Sequence, residues 1–217
     1  MAYGYNLANK LIDLTNLKGI SELSHYSYEY YLDGNQSKKE ELVSGKTSEY
    51  VYDGLSRLTD ESEYQDATLV SAIEYAYDDY SNRETMTVSG NESFVTAYDY
   101  NLSNRLLTEI KTVGDITQIT SYGYDDNGNQ VYKGMETIEP DGESAEALSL
   151  SVAGEDEDGG VSLYEYNGFN QLIKAVSGDI TAEYTYNADG LRTSKTVNDT
   201  VTRHIWDGDQ IVLELNG

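Results

Sequence analysis

Apolar and polar positions alternate with a period of two over short stretches of this chain, and the apolar members are most often tyrosines. In Tyr184-Thr185-Tyr186 this alternation puts two rings on one face of a strand and Thr185 on the other, and aromatic and β-branched residues suit such a pleated surface. Eight Tyr-x-Tyr pairs occur: Tyr3 and Tyr5, Tyr28 and Tyr30, Tyr50 and Tyr52, Tyr75 and Tyr77, Tyr98 and Tyr100, Tyr122 and Tyr124, Tyr164 and Tyr166, and Tyr184 and Tyr186. Each is followed by a short Asp/Asn/Gly turn and then by a basic residue or Gln. Asn127-Gly128, Asp33-Gly34 and Asp189-Gly190 are expected to supply the positive φ angles of tight hairpin turns. The returning strands end in second turns, as in Thr112-Val113-Gly114-Asp115-Ile116-Thr117, Ala175-Val176-Ser177-Gly178-Asp179-Ile180 and Thr196-Val197-Asn198-Asp199-Thr200-Val201. The pattern therefore predicts an all-β chain, a continuous antiparallel meander of hairpins. Leu7, Leu11 and Leu14 have helical spacing. The segment from Tyr5 to Leu11 is nevertheless a near copy of Tyr100 to Leu106, which leads into a strand-turn-strand stretch, so both are assigned as β.

The second tyrosines recur at steps of 20 to 25 residues, with one step of 42. A period in that range marks a stacked array in which each unit buries its apolar face against its neighbours. A finer order alternates along the array. The first, third, fifth and seventh units end in Lys10-Leu11, Arg57-Leu58, Arg105-Leu106 and Gln171-Leu172; in the even units Gln36, Arg83, Gln130 and Arg192 fall one place later. A shift of one place moves a strand side chain to the other face, so the structural unit is expected to be a block of two motifs.

Composition sharpens this reading. Residues of the hydrophobic group make up 38% of the chain and 21 of them are tyrosine, so the rings must supply much of the burial that offsets chain entropy. Cross-strand aromatic pairs at roughly 0.2 to 1 kcal/mol each are expected to act together along the ladder. The single proline, Pro140, lies outside every motif, as an uninterrupted hydrogen-bonded ladder requires. A net charge of −25 opposes contact with nucleic acid phosphates or anionic lipid. There is no cysteine to form a disulfide or a thiolate metal site. No apolar run approaches membrane-spanning length, and no signal-peptide pattern precedes the first motif. The array is read as one domain over residues 1–217, a piece of a longer array whose unpaired end strands invite edge-to-edge self-association. It is interrupted at 135–160 by an insertion with nine acidic residues and no Lys or Arg. Within that insertion Ala147–Val152 alternates like a strand with which Val161–Tyr166 could pair, and 155–160 reads as a mobile tip. A solvated acidic loop is the plain reading and cation binding the alternative.

Tyr122-Gly123-Tyr124-Asp125-Asp126-Asn127-Gly128-Asn129-Gln130 and Tyr52-Asp53-Gly54-Leu55-Ser56-Arg57-Leu58 resemble the YD repeat of the RHS family, and the resemblance covers nearly all of the chain except the acidic insertion. The stretch Ala182 to Thr193 with Trp206-Asp207-Gly208-Asp209-Gln210 is similar to the variant found in bacterial members. The resemblance implies a segment of a large secreted or cell-surface bacterial polypeptide whose repeats form a curved or spiralling β-hairpin sheet. In complete members that sheet closes around a C-terminal toxin or forms the barrel of adhesion proteins. Eight motifs are few for a closed shell, so a partial shell, not closed on its own, is expected. The self-cleaving aspartyl segment of complete shells has no counterpart here.

The position after the second tyrosine is Asp in Asp53, Asp78 and Asp125, Asn in Asn6, Asn101, Asn167 and Asn187, and Tyr31 once. A general acid or base needs an ionisable carboxyl, whereas an Asx-type turn accepts Asp and Asn alike, so these are read as turn formers. Lys10, Arg57, Arg83, Arg105 and Arg192 share motif positions with Gln36, Gln130 and Gln171, which suggests hydrogen bonding and a covering stem more than charge. His25 and His204 lack metal-pair or triad spacing and are read as structural or merely exposed. Asp125-Asp126-Asn127-Gly128-Asn129 lacks the glycine and distal glutamate offsets of a calcium loop. No catalytic residue, cofactor or metal site is assigned, and Trp206 is the candidate ligand-binding side chain.

Two functions follow. The first is a non-enzymatic wall that encloses or displays another segment of its polypeptide, such as a toxin. The second is a carbohydrate-binding or adhesion module that uses exposed Tyr and Trp faces. A glycosidase carboxylate pair among the 39 acids is the enzymatic alternative.

Overall fold

A computed structural model of the protein describes residues 1–138 and 160–217. The strand expected at Ala147–Val152 and all but the last residue of the expected tip at 155–160 lie outside the described residues. Every regular element among the described residues is a β-strand, so none is a helix long and apolar enough to cross a membrane. The residues group into two units. The first covers Met1–Tyr98 and Lys111–Gly114, and the second covers Asp99–Ile110 and Asp115–Gly217.

The strands of the first part of the chain are β1 (Ala2–Tyr5), β2 (Leu11–Lys18), β3 (Ser21–Tyr30), β4 (Gln36–Glu41), β5 (Lys46–Tyr52), β6 (Leu58–Gln65), β7 (Thr68–Tyr77), β8 (Arg83–Gly90) and β9 (Phe94–Tyr100). After β10 (Leu106–Val113), the strands are β11 (Ile116–Tyr124), β12 (Gln130–Ile138), β13 (Val161–Tyr166), β14 (Leu172–Ser177), β15 (Ile180–Tyr186), β16 (Arg192–Val197), β17 (Thr200–Asp207) and β18 (Gln210–Asn216). From β1 to β9, and again from β11 to β18, each strand pairs antiparallel with its neighbour in the chain. No register among the described residues joins β9 back to β1 or β18 back to β11, so neither unit closes on itself. Leu11 and Leu14 lie in β2 and Leu7 in the preceding turn, so the helical spacing there carries no helix.

The acidic insertion begins later than its composition suggested. Met135 to Ile138 extend β12 and pair with β11, with Thr120 opposite Met135 and Thr117 opposite Ile138. Val161–Tyr166 is a strand, as expected, but its neighbours are β12 and β14, so both of its edges are taken. Backbone pairing there follows the motif rhythm.

All described motif hairpins share one irregularity. The second tyrosine pairs with the residue five places after the position that follows it, as in Tyr5 with Leu11, Tyr77 with Arg83, and Tyr186 with Arg192, and the register shifts by one residue just before that pair. Such a bulge increases local twist and lets one residue project out of step.

The turns also differ from expectation. At Asp33-Gly34, Asn127-Gly128 and Asp189-Gly190 only the glycine takes a positive φ, of 103°, 90° and 83°. In the units without glycine there, Asn9, Ser56, Ser81, Asn104 and Asn170 occupy the same left-handed position with φ of 56° to 69°. Each motif turn thus spans five residues with a single left-handed residue in fourth place. Two-residue turns with both residues at positive φ occur at the opposite rim, as in Asp66-Ala67 and Asn198-Asp199.

Among the described residues only Ser48, Thr96, Gly134, Ala182 and His204 are buried. Neither unit has an enclosed apolar core, so stability must come from side chains lying flat across neighbouring strands.

Candidate functional site

The site-bearing feature is the tyrosine face with its turns, built from the residue that follows each second tyrosine. The Oδ1 of that residue accepts the backbone N–H two places on, the N–H four places on, or both, at 2.8 to 3.1 Å. Asp53, Asp78 and Asp125 do this in the same way as Asn6, Asn101, Asn167 and Asn187. Tyr31, the exception, closes its turn through its backbone, and Asp33 takes over the side-chain role by accepting from Asn35 N at 3.0 Å. The donors hold the three carboxyls below their ordinary range: chiefly the Arg57 backbone N–H for Asp53, the Asn82 side chain for Asp78, and the Asn129 side chain for Asp125. A carboxylate kept ionised by its own turn is poorly suited to deliver a proton.

The tyrosines are organised in blocks of two motifs, but not through the expected change of face, since Arg83 and Arg192 of the even units lie on tyrosine rings as the odd-unit cations do. In every block the second tyrosine of the even unit donates its hydroxyl to the carbonyl of the leucine that ends the odd turn: Tyr30 to Leu11 at 2.8 Å, Tyr77 to Leu58 at 2.6 Å, Tyr124 to Leu106 at 2.9 Å and Tyr186 to Leu172 at 2.8 Å. Over the first three of these rings lies the basic residue of the odd turn. Lys10 Nζ is 5.0 Å from the Tyr30 centroid, the Arg57 guanidinium 4.6 Å from Tyr77, and the Arg105 guanidinium 5.8 Å from Tyr124. Arg57 also donates to Ser81 Oγ at 3.0 Å and Arg105 to the Asp125 carbonyl at 3.3 Å, each reaching the next turn.

These contacts revise two expectations. The ladder is more than ring on ring: Tyr26 pairs with Tyr28 and Tyr31 with Tyr52, but cations lie over many of the other rings. The backbones of equivalent tyrosines stand two strands apart, about 9.5 Å. A cation from the intervening turn fills that gap. The five motif cations therefore bring charge as well as a covering stem. Arg83 lies 4.7 Å from Tyr75 and 5.7 Å from Tyr98, and Arg192 lies 5.5 Å from Tyr184.

The remaining candidates are also placed. His25 Nε2 lies 2.7 Å from Asp13 Oδ2, with Glu22 at 3.6 Å, and the Asp13 contact raises the imidazole pKa. His204 is buried, with Nδ1 near the Arg192 carbonyl at 3.2 Å and Nε2 3.4 Å from Glu214. Trp206 is half-buried, and its indole N–H donates to the same Arg192 carbonyl at 2.9 Å. This is the bond that a second tyrosine makes to the preceding turn, and the register shifts between Ile205 and Trp206 as it does before second tyrosines. His204-Ile205-Trp206 thus stands in the place of a Tyr-x-Tyr pair, although a two-residue turn, not the five-residue motif turn, follows it. The available signal was spacing, since Trp206 follows Tyr186 by 20 residues, as Tyr186 follows Tyr166. Among the described residues no group of three or more His, Asp or Glu is arranged to hold a metal ion.

Comparison with known proteins agrees with this architecture. No family model matches the chain. It is 31% identical over 160 residues to the tRNA3(Ser)-specific nuclease WapA of Bacillus spizizenii and to the tRNA nuclease WapA of Bacillus subtilis. That match takes in 74% of this chain but only 5% of either relative's length. Among solved structures, TcdB2-TccC3 without its hypervariable C-terminal region matches 98% of this chain at 15% identity, with a TM-score of 0.66, over 12% of its own length. The Tc holotoxin pore of Photorhabdus luminescens matches 99% of this chain and 14% of its own at 14% identity, with a TM-score of 0.54. Over the matched stretch the chain thus shares its fold with part of these toxin-complex chains.

Proposed function

We propose that the chain is a non-enzymatic wall segment of a secreted or cell-surface RHS/YD-repeat polypeptide, and that its sheet encloses or displays another segment of that polypeptide, such as a toxin. The observation that carries this reading is the fourfold repeat of tyrosine hydroxyl on leucine carbonyl, three times with a cation on the ring. The motif tyrosines and cations are engaged in holding strand to strand, and the motif acids are interchangeable with asparagine. Likeness in fold to parts of toxin assemblies, and in sequence to a short part of nucleases far longer than this chain, supports a role as scaffold.

Limited proteolysis of the parent polypeptide tests the reading. The segment enclosed or displayed should resist cleavage while the array is intact and become sensitive in a Tyr77→Ala, Tyr124→Ala variant. Equal cleavage in both would count against the wall. Incubation of this chain with tRNA and with chromogenic glycosides should give no turnover. Turnover abolished by a single carboxylate substitution would replace the wall with an enzyme.

A further inference from the structure

Three of the four blocks set their own cation on the second tyrosine of the even unit, and the fourth does not. The place held by Lys10, Arg57 and Arg105 is taken by Gln171, which is shorter and neutral. Its side-chain oxygen is drawn back to its own turn, accepting from Asn167 Nδ2 at 2.8 Å, while its nitrogen faces the turn at Gly190. Beside it opens a pocket of about 680 Å³ lined by Phe169, Gln171, Ile173, Tyr184, Tyr186 and Asp189. Phe169, in the lining, is 87% exposed. No Lys or Arg among the described residues stands in for the missing cation, and residues 139–159 contain none.

We propose that this pocket binds the guanidinium group of an arginine side chain carried by another polypeptide segment. The chain contains its own template for the complex. Arg105 lies against Tyr124 and donates to the Asp125 carbonyl, an oxygen that also accepts Gly128 N at 3.0 Å. In the fourth block the Asn187 carbonyl stands in that position and accepts Gly190 N at 3.1 Å, and a carbonyl oxygen has two lone pairs with which to accept. A planar guanidinium can lie on the Tyr186 ring and donate sideways to this oxygen at once, which a compact ammonium group does less well. Arg105 donates such a bond, and Arg57, at the same place in its block, reaches the next turn by donating to the Ser81 hydroxyl. The Asp189 carboxylate in the lining and the net charge of −25 favour a cationic guest. The proposal rests on repeat geometry and is independent of the wall reading.

The test titrates the full 217-residue chain with N-acetyl-arginine amide, its citrulline counterpart, a Gly-Arg-Gly peptide and guanidinium ion at equal ionic strength. Binding is followed by NMR at the Gln171 side-chain amide and the Phe169 ring. Saturable shifts are expected with the arginine probes, at least about five-fold weaker with citrulline, and stronger for the peptide than for the free ion. Gln171→Arg, which restores the pattern of the other blocks, should abolish binding and raise the melting temperature. Equal binding of citrulline, unchanged binding in Gln171→Arg, no advantage of the peptide over the ion, or no saturable shift would each overturn the proposal.

Discussion

Asp53, Asp78 and Asp125 have a measurable consequence for stability. Their hydrogen bonds to turn N–H groups and side-chain amides depress the folded pKa below the ordinary value of 3.8. Their contribution is therefore present above that value and is lost as pH falls through the lower folded values. Replacing all three with Asn, which already serves in four sister turns, should shrink the drop in melting temperature between about pH 5 and pH 2. An undiminished drop would mean that these turns do not distinguish the ionised form. The sign reverses for His25. Its hydrogen bond to Asp13 raises the folded pKa above 6.5, so its contribution is present below that value and is lost as pH rises through the raised one. His25→Gln should flatten the melting temperature between about pH 6 and pH 8, readable by thermal scans at fixed salt. The turn role of the Asp/Asn position was legible in the sequence because eight copies reported which residues it tolerates. The tasks of His204 and Trp206 were not, because they do a tyrosine's work with a different ring.

At the scale of hairpins, the two-motif block is the unit whose energetics can be dissected. Tyr77→Phe removes the hydroxyl that reaches the Leu58 carbonyl and should cost about 0.5 to 1.5 kcal/mol in denaturant unfolding. Arg57→Gln, which copies the fourth block, should cost about 0.5 to 1 kcal/mol through loss of the cation on Tyr77. Because both changes act on one ring, a double-mutant cycle should find them coupled, and strict additivity would argue that ring and cation are independent. Ser56 holds a φ of 61° with no backbone freedom to spare, so Ser56→Gly should leave stability unchanged or raise it by up to about 1 kcal/mol. The alternation of odd and even units was readable from the one-place shift of the basic residue. Which ring that residue covers was not, because the contact runs from one hairpin to the next and depends on the separation of alternate strands.

For the whole molecule, an array without an enclosed core should lose structure locally. Tyr30→Ala should abolish slow amide exchange in β2 to β4 while β14 to β17 keep theirs, since each block leans only on its neighbours. Uniform loss of protection along the chain would indicate one cooperative body. The sequence by itself determined the all-β class, the meander, the two-motif period and the turn chemistry, because strand alternation and turn preference are local and were repeated eight times. The tertiary structure decided what holds the strands together: cations from one turn seated on tyrosines of the next, and Trp206 bonded to the Arg192 carbonyl as a tyrosine would be. Those features depend on which side chains meet across strands that the chain does not place side by side in sequence, and a bulge of one residue is enough to change the answer.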